Sequence, residues 1–136
     1  MANDEPLTAR VYGLKAGDYQ LVNGWWKARH GRDFLETLIP PLGVIVERGN
    51  EPVAAIWAYE SCGIGVAFLE YFVTRPGLAF RAVSNAFGYC LQSIEFILKE
   101  RGYSVLRAIT EERLAKFAPL HGFKAIGGFH NVVKTF

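Results

Sequence analysis

FLEYFVTRPGLAFRAVSNAFGYCLQSIEFILKER, residues 68–101, decides how this chain is read. It opens as a β-rich run, breaks at Arg75-Pro76-Gly77, and continues as one long segment. In that segment Val83, Phe87, Cys90, Leu91, Ile94, Ile97 and Leu98 recur at three and four residues, which predicts a helix with a single buried face. At about 20 residues and 1.5 Å each it is about 30 Å long, enough to cross a small domain. Gly102 stands where such a helix ends. A strand, a tight loop and a helix N-terminus in succession leave free backbone N–H groups and the positive end of the helix dipole facing the loop. That arrangement suits phosphate groups.

Upstream, GVIVERG (43–49), PVAAIWAYE (52–60) and AFLEYFVT (67–74) are β-rich. Turns at Gly49-Asn50 and over residues 61–65 make them antiparallel neighbours. Their dense Val, Ile, Ala and Phe content implies a sheet covered on both faces. Earlier still, residues 8–14 read as a short strand, and Asp18 is placed to cap a helix DYQLVNGWWKARH. Leu21, Val22, Trp25 and Trp26 form its apolar stripe. Lys27, Arg29, His30 and Arg32 gather toward its C-terminal end, where the dipole favours cations. A second short helix over residues 33–38 stops before Pro40-Pro41. Downstream, residues 103–110 are a strand reached by a parallel crossover. A short helix over residues 111–120 and a hairpin turning at Gly127-Gly128 close the chain.

Composition narrows the class. At 136 residues, half of them hydrophobic, the chain reads as one domain (1–136) with a single core. A net charge of +2 and a pI near 8.6 give no strong case for nucleic acid. The N-terminus is polar, and the apolar runs fall far short of the roughly 20 residues of a spanning helix. The expectation is a cytoplasmic protein without a membrane partner, monomeric or homodimeric. Cys62 and Cys90 read as unreactive thiols, and His30, His121 and His130 lack metal-ligand spacing, so no metal site is expected.

The order strand, two helices, three-strand meander, long helix, strand, short helix, hairpin resembles the GNAT N-acetyltransferase superfamily over nearly the whole chain. The ending LHGFKAIGG resembles the family's short helix, Gly-Phe and strand, and KERGYSVLRA resembles the link after its long helix. FLEYFVTRPG stands where the family has its fourth strand and phosphate loop. The resemblance implies an α/β (α+β) fold: a twisted, mixed but mostly antiparallel sheet of about six to seven strands flanked by about four helices. Arg75-Pro76-Gly77-Leu78-Ala79 is one residue shorter than the family loop and carries a proline with no N–H to offer. In this it is similar to small GNAT-like proteins encoded by tailed phages.

The resemblance further implies acetyl-CoA as co-substrate, held by Phe72, Val73, Arg75, Gly77, Ala79 and Arg81, and an amine acceptor, small molecule or protein. Glu70 stands where many family members carry a general base, and strand alternation places it on one face with Phe68 and Phe72. Desolvation there raises a carboxyl pKa. A backbone N–H near Phe72 or Val73 is the expected oxyanion donor. The family's Tyr general acid is absent from Lys116-Phe117-Ala118-Pro119-Leu120. Tyr59, Tyr71 and Tyr103 substitute only if the fold brings them to the cleft. Trp26, His30 and Tyr59 are the candidates on the acceptor side. The rival readings are a GNAT-fold protein without catalysis, in a binding or virion role, and a nucleic-acid modifier.

Overall fold

The computed structural model describes residues 5–110, 118–126 and 132–136. Five strands make one sheet in chain order: β1 (Leu7–Val11), β2 (Leu42–Arg48), β3 (Glu51–Glu60), β4 (Val66–Thr74) and β5 (Val105–Ala108). The first four pair antiparallel, and β5 runs parallel to β4. A parallel pair needs a crossover, which α2 (Phe80–Glu100) supplies. Its Ala86, Cys90, Leu91, Ile94 and Leu98 are buried against one sheet face. Helix α1 (Asp18–His30) covers the other face with Val22 and Trp25. Cover on both sides explains the unbroken apolar run of β3: Ala54, Ile56 and Ala58 face α2, while Ala55 and Trp57 face α1.

The architecture is the mixed α+β one that the sequence pattern predicts, with smaller counts among the described residues. Residues 33–38 do not form the expected helix; only Glu36–Leu38 make a 3-10 turn. The Phe34 N–H donates to Asn23 Oδ1 (2.7 Å) and the Phe34 carbonyl accepts from the Tyr19 hydroxyl (2.8 Å). Side chains of α1 thus hold the backbone groups that a helix would use. Residues 123–126 and 132–136, the expected hairpin arms, carry no strand. Their Ile126, Val132, Val133 and Phe136 are exposed, so no buried face selects a register. The turn at Gly127-Gly128, and residues 111–117 of the expected short helix, lie outside the described residues. Cys62 is exposed, Cys90 is buried, and neither is in a disulfide.

Two local devices hold the α1 face in place. Gly43 pairs with Trp57 across β2 and β3, and the indole lies flat against it: a Cβ on Gly43 would stand 2.3 Å from Trp57 Cδ1. Buried Trp57 Nε1 has no hydrogen-bond partner among the described residues, which costs on the order of 1–3 kcal/mol. The second device is Asp18, which does not cap α1; Gly17 is the N-cap and no side-chain cap bond forms. The Asp18 carboxylate instead accepts from Arg10 Nη1 (2.7 Å) and Nη2 (2.8 Å) and from the Gly13 (2.9 Å) and Lys15 (3.3 Å) N–H groups. Arg10 also reaches Glu47 at 3.2 Å, so one ion cluster joins β1, β2 and the start of α1.

Substitution of two glycines by alanine is expected to act with opposite signs. Gly43→Ala overpacks the indole and lowers stability by about 1–3 kcal/mol. Gly24, exposed in mid-α1 with open space where a Cβ would stand, gains about 0.5–1 kcal/mol as alanine. Denaturant melts of both variants measure this. A second expectation concerns acid. Burial raises the Asp18 pKa, but the Arg10 guanidinium and the two backbone N–H groups outweigh it, leaving the pKa lowered. The folded form therefore binds fewer protons than the unfolded chain. The resulting stability is present above the unfolded pKa of about 3.9 and is lost as pH falls through the folded value. Asp18→Asn should cost about 3 kcal/mol at pH 7, with the gap to wild type closing below about pH 4.

Candidate active site

The strands β4 and β5 are paired over four residues, from Val66 with Val105 to Leu69 with Ala108. Beyond Leu69, β4 continues to Thr74 with no β5 partner, so the sheet forks there. At the same point the β3 register slips: Ala58 pairs with Leu69 and Ile56 with Phe72, so Trp57 alone faces both Glu70 and Tyr71. This is a β-bulge, one extra residue on β4, and it resets which way the following side chains point. Before it, Ala67 and Leu69 face the α2 core; after it, Phe72 does. Tyr71 and Val73 join the α1 core.

The bulge corrects one expectation and refines another. Glu70 shares the α1 face with Phe68, as alternation predicts, but Phe72 points the opposite way, its ring edge-on to Phe87 at 5.0 Å. The backbone follows the same phase. Arg75 N–H donates to Val53 O (2.8 Å), so by alternation the Val73 amide faces β3, while those of Phe72 and Thr74 face the fork. Of the two expected oxyanion donors, only Phe72 therefore presents its N–H to the open side.

Glu70 is exposed by area and makes no ion pair or hydrogen bond with a described residue. Its carboxyl pKa is nevertheless raised, because the strand and its neighbours displace water from it. Tyr71, brought beside it by the bulge, is also shifted upward, first by desolvation and then by the Tyr59 and Glu70 charges. The Tyr59 hydroxyl donates to Leu38 O at 2.9 Å.

The loop residues are placed as a strand-to-helix turn. Gly77 takes a left-handed φ of 84°, a conformation that side chains resist. Leu78 anchors the loop on the α2 core. Ala79 is the α2 N-cap, without a side-chain cap bond, and no acid stands in the first turn to offset the positive end of the helix dipole. Arg81 projects from that turn, exposed. Arg75 is not aimed at the loop: its Nη1 pairs with Glu51 at 2.9 Å.

On the α1 side Trp26 stacks on Phe34 (4.3 Å between ring centroids, 15° apart), lies 4.0 Å from His30, and meets the edge of Tyr71 at 5.6 Å. Phe34, 2% exposed, touches Trp26, Trp57 and Tyr71 and is the centre of this wall. Sequence reading missed Phe34 and Arg107, and it named Tyr71 only as a substitute acid, not as part of this wall. Only the packing of residues 33–38 and the register of β3, β4 and β5 reveal them. Arg107 pairs with Phe68 across β4 and β5, and its guanidinium lies 5.9 Å from the centre of that ring.

Two surface depressions lie away from the fork. One, of about 350 Å³, is bounded by Val11, Val44, Tyr89, Phe96 and Ile97 between β1 and α2. The other, of about 340 Å³, lies between residues 61–65 and Gly102-Tyr103. Among the described residues no group of three His, Cys, Asp or Glu could hold a metal, and no helix is long and apolar enough to cross a membrane.

No protein-family model matches the sequence, and no curated protein matches it. Solved structures do. An aminoglycoside N-acetyltransferase, AAC(6')-Iy in complex with a bisubstrate analog of CoA, aligns with 97% of this chain and 100% of its own, at TM-score 0.72 and 13% identity. A Trypanosoma brucei acetyltransferase aligns over 95% and 100%, at 0.67 and 14%. A transcriptional regulator from Bacillus halodurans aligns over 96% and 99%, at 0.66 and 16%. Likeness at these identities is likeness of fold.

Because Phe34 holds both the wall and the bulged residue Tyr71, Phe34→Ala should destabilise by about 3–5 kcal/mol. It should also disturb the near-ultraviolet dichroism of Trp26 and Trp57. An unchanged aromatic signal would show that Phe34 does not organise the wall.

Proposed function

We propose that this chain, whose fold is that of the GNAT acetyltransferases, is an acetyl-CoA-dependent N-acetyltransferase acting on an amine. The observation that carries the reading is the fork: β4 leaves β5 at a bulge, and two of its backbone N–H groups turn toward the gap. An extended ligand with amide groups can take the place that β5 vacates, as an added strand does. The residues present fit the pantetheine and diphosphate of acetyl-CoA. The edge at Phe72 and Thr74 offers backbone partners, and the loop backbone at Gly77 and Ala79 and the positive end of the α2 dipole, with Arg81, offer donors and charge to a diphosphate. Arg75 can add to these, because its exposed pair with Glu51 is worth no more than about 1 kcal/mol.

Bound acetyl-CoA supplies the acetyl group as a thioester: the acceptor nitrogen bonds the carbonyl carbon and the carbon–sulfur bond breaks. Glu70 takes the proton that the ammonium must lose; its raised pKa brings it nearer the pH at which it works. The Phe72 N–H faces the side on which the carbonyl oxygen gathers charge. No general acid is assigned to the departing thiolate, whose pKa near 8.5 makes protonation less demanding than for an alkoxide. Pro76 in the loop and the missing Tyr at residues 116–120 favour a second reading, a binding protein of this fold without catalysis.

Calorimetry and thermal melts with acetyl-CoA test the reading. Ligand at 100 times its dissociation constant stabilises by about 2.7 kcal/mol. No shift at millimolar acetyl-CoA contradicts the proposal, and binding without turnover of any amine favours the second reading. With turnover, kcat/KM should rise with pH through an apparent pKa above the ordinary Glu value. Glu70→Gln should abolish that limb and lower turnover by about 10²–10⁴-fold without weakening acetyl-CoA binding.

A further inference from the structure

Three residues form a row across β3, β4 and β5 on the α1 face: Tyr59 opposite Phe68, and Phe68 opposite Arg107. Ala67 and Leu106, one step back on β4 and β5, turn to the α2 core, which fixes the row on the other side. Helix α1 does not cover it. Tyr59 is 38% and Phe68 36% exposed, and Arg107 is exposed. Glu70 stands on this face two residues along from Phe68, at the fork. The result is an open aromatic shelf with a carboxylate at one end and a guanidinium at the other.

The charge at Arg107 differs from the other arginines borne by strands. Arg10 pairs with Asp18 and Glu47, and Arg48 donates to the Glu5 carbonyl. Arg107 has no oxygen partner among the described residues; what holds it is the face of Phe68. The two ends are thus separate charges awaiting separate groups. Two residues along β4 is about 7 Å and one strand across to β5 about 4.8 Å, so the two positions stand about 8 Å apart on the diagonal. Each side chain keeps a hydrogen-bonding distance of its own, so one small molecule touching both carries its groups only a few bonds apart.

Resting on the transferase reading above, we propose that the acceptor is an amine carrying an oxyanion, carboxylate or phosphate, a few bonds from the nitrogen. Arg107 holds the oxyanion and Phe68 and Tyr59 form the floor beneath it, while the amine meets Glu70. A planar guanidinium binds either oxyanion in a two-pronged manner. Arg107 is therefore a specificity residue, and the acetyl transfer itself is as described above.

Matched acceptors test this. Glycine, β-alanine and γ-aminobutyrate are compared with their primary amides, and phosphoethanolamine with ethanolamine. Binding is read by calorimetry in the presence of coenzyme A, and turnover with acetyl-CoA. The anionic member of at least one pair should bind about tenfold or more tightly than its neutral partner. Whichever pair discriminates identifies carboxylate or phosphate. Arg107→Gln should erase that difference while leaving acetyl-CoA affinity unchanged, and Arg107→Lys should keep part of it. Neutral partners bound as well as anionic ones, discrimination that survives Arg107→Gln, or no acceptor bound while acetyl-CoA binds would each overturn the inference alone. Failure to bind acetyl-CoA would overturn the transferase reading and this inference with it.

Discussion

The packing of Trp57 against Gly43 sets the rest of the site. The indole is wholly buried on the α1 side of the sheet, where the side chain of any residue but glycine at position 43 would displace it. Opposite this ring, β4 spends two residues, Glu70 and Tyr71, where β3 spends one. That extra residue turns Tyr71 into the aromatic cluster, leaves Glu70 on the same face, and sends Phe72 to the α2 core. It coincides with the last pair between β4 and β5. The side chain proposed as base and the amide proposed to meet the carbonyl oxygen are thus consequences of one register slip.

Stability and chemistry draw on different parts of the sheet. The ion cluster of Arg10, Asp18 and Glu47 ties β1 and β2 to the start of α1, away from the fork. The α2 stripe fills the opposite face with aliphatic side chains. Among the described residues, the fork keeps what these regions do not need: backbone groups without strand partners, a carboxylate without a cation, and an arginine held only by a ring.

Much of the fold was legible because periodicity reports burial. The α2 stripe, the three β-rich runs and their short turns led directly to the meander and crossover. What lay beyond reading depends on pairs of residues distant in sequence. Asn23 and Tyr19 take the backbone groups of Phe34, so residues 33–38, helical by pattern, are not a helix. The bulge lies opposite Trp57, thirteen to fifteen residues before the strand positions it redirects, so simple alternation put Phe72 on the wrong face. Glu51 engages Arg75, which the loop alone suggested was free. Asp18 had the right residue type for a cap, but the nearby Arg10 guanidinium outbids the helix amides for it.

The central claim is that the forked edge of β4 is a ligand-binding edge. Amide hydrogen exchange, resolved by residue with and without acetyl-CoA, tests it most directly. The account predicts that acetyl-CoA slows exchange at Phe72 and Thr74, whose N–H groups face the fork. It should change little at Val73 and Arg75, whose amides already face β3. Equal protection along the whole strand, or protection confined to residues remote from the fork, would contradict it.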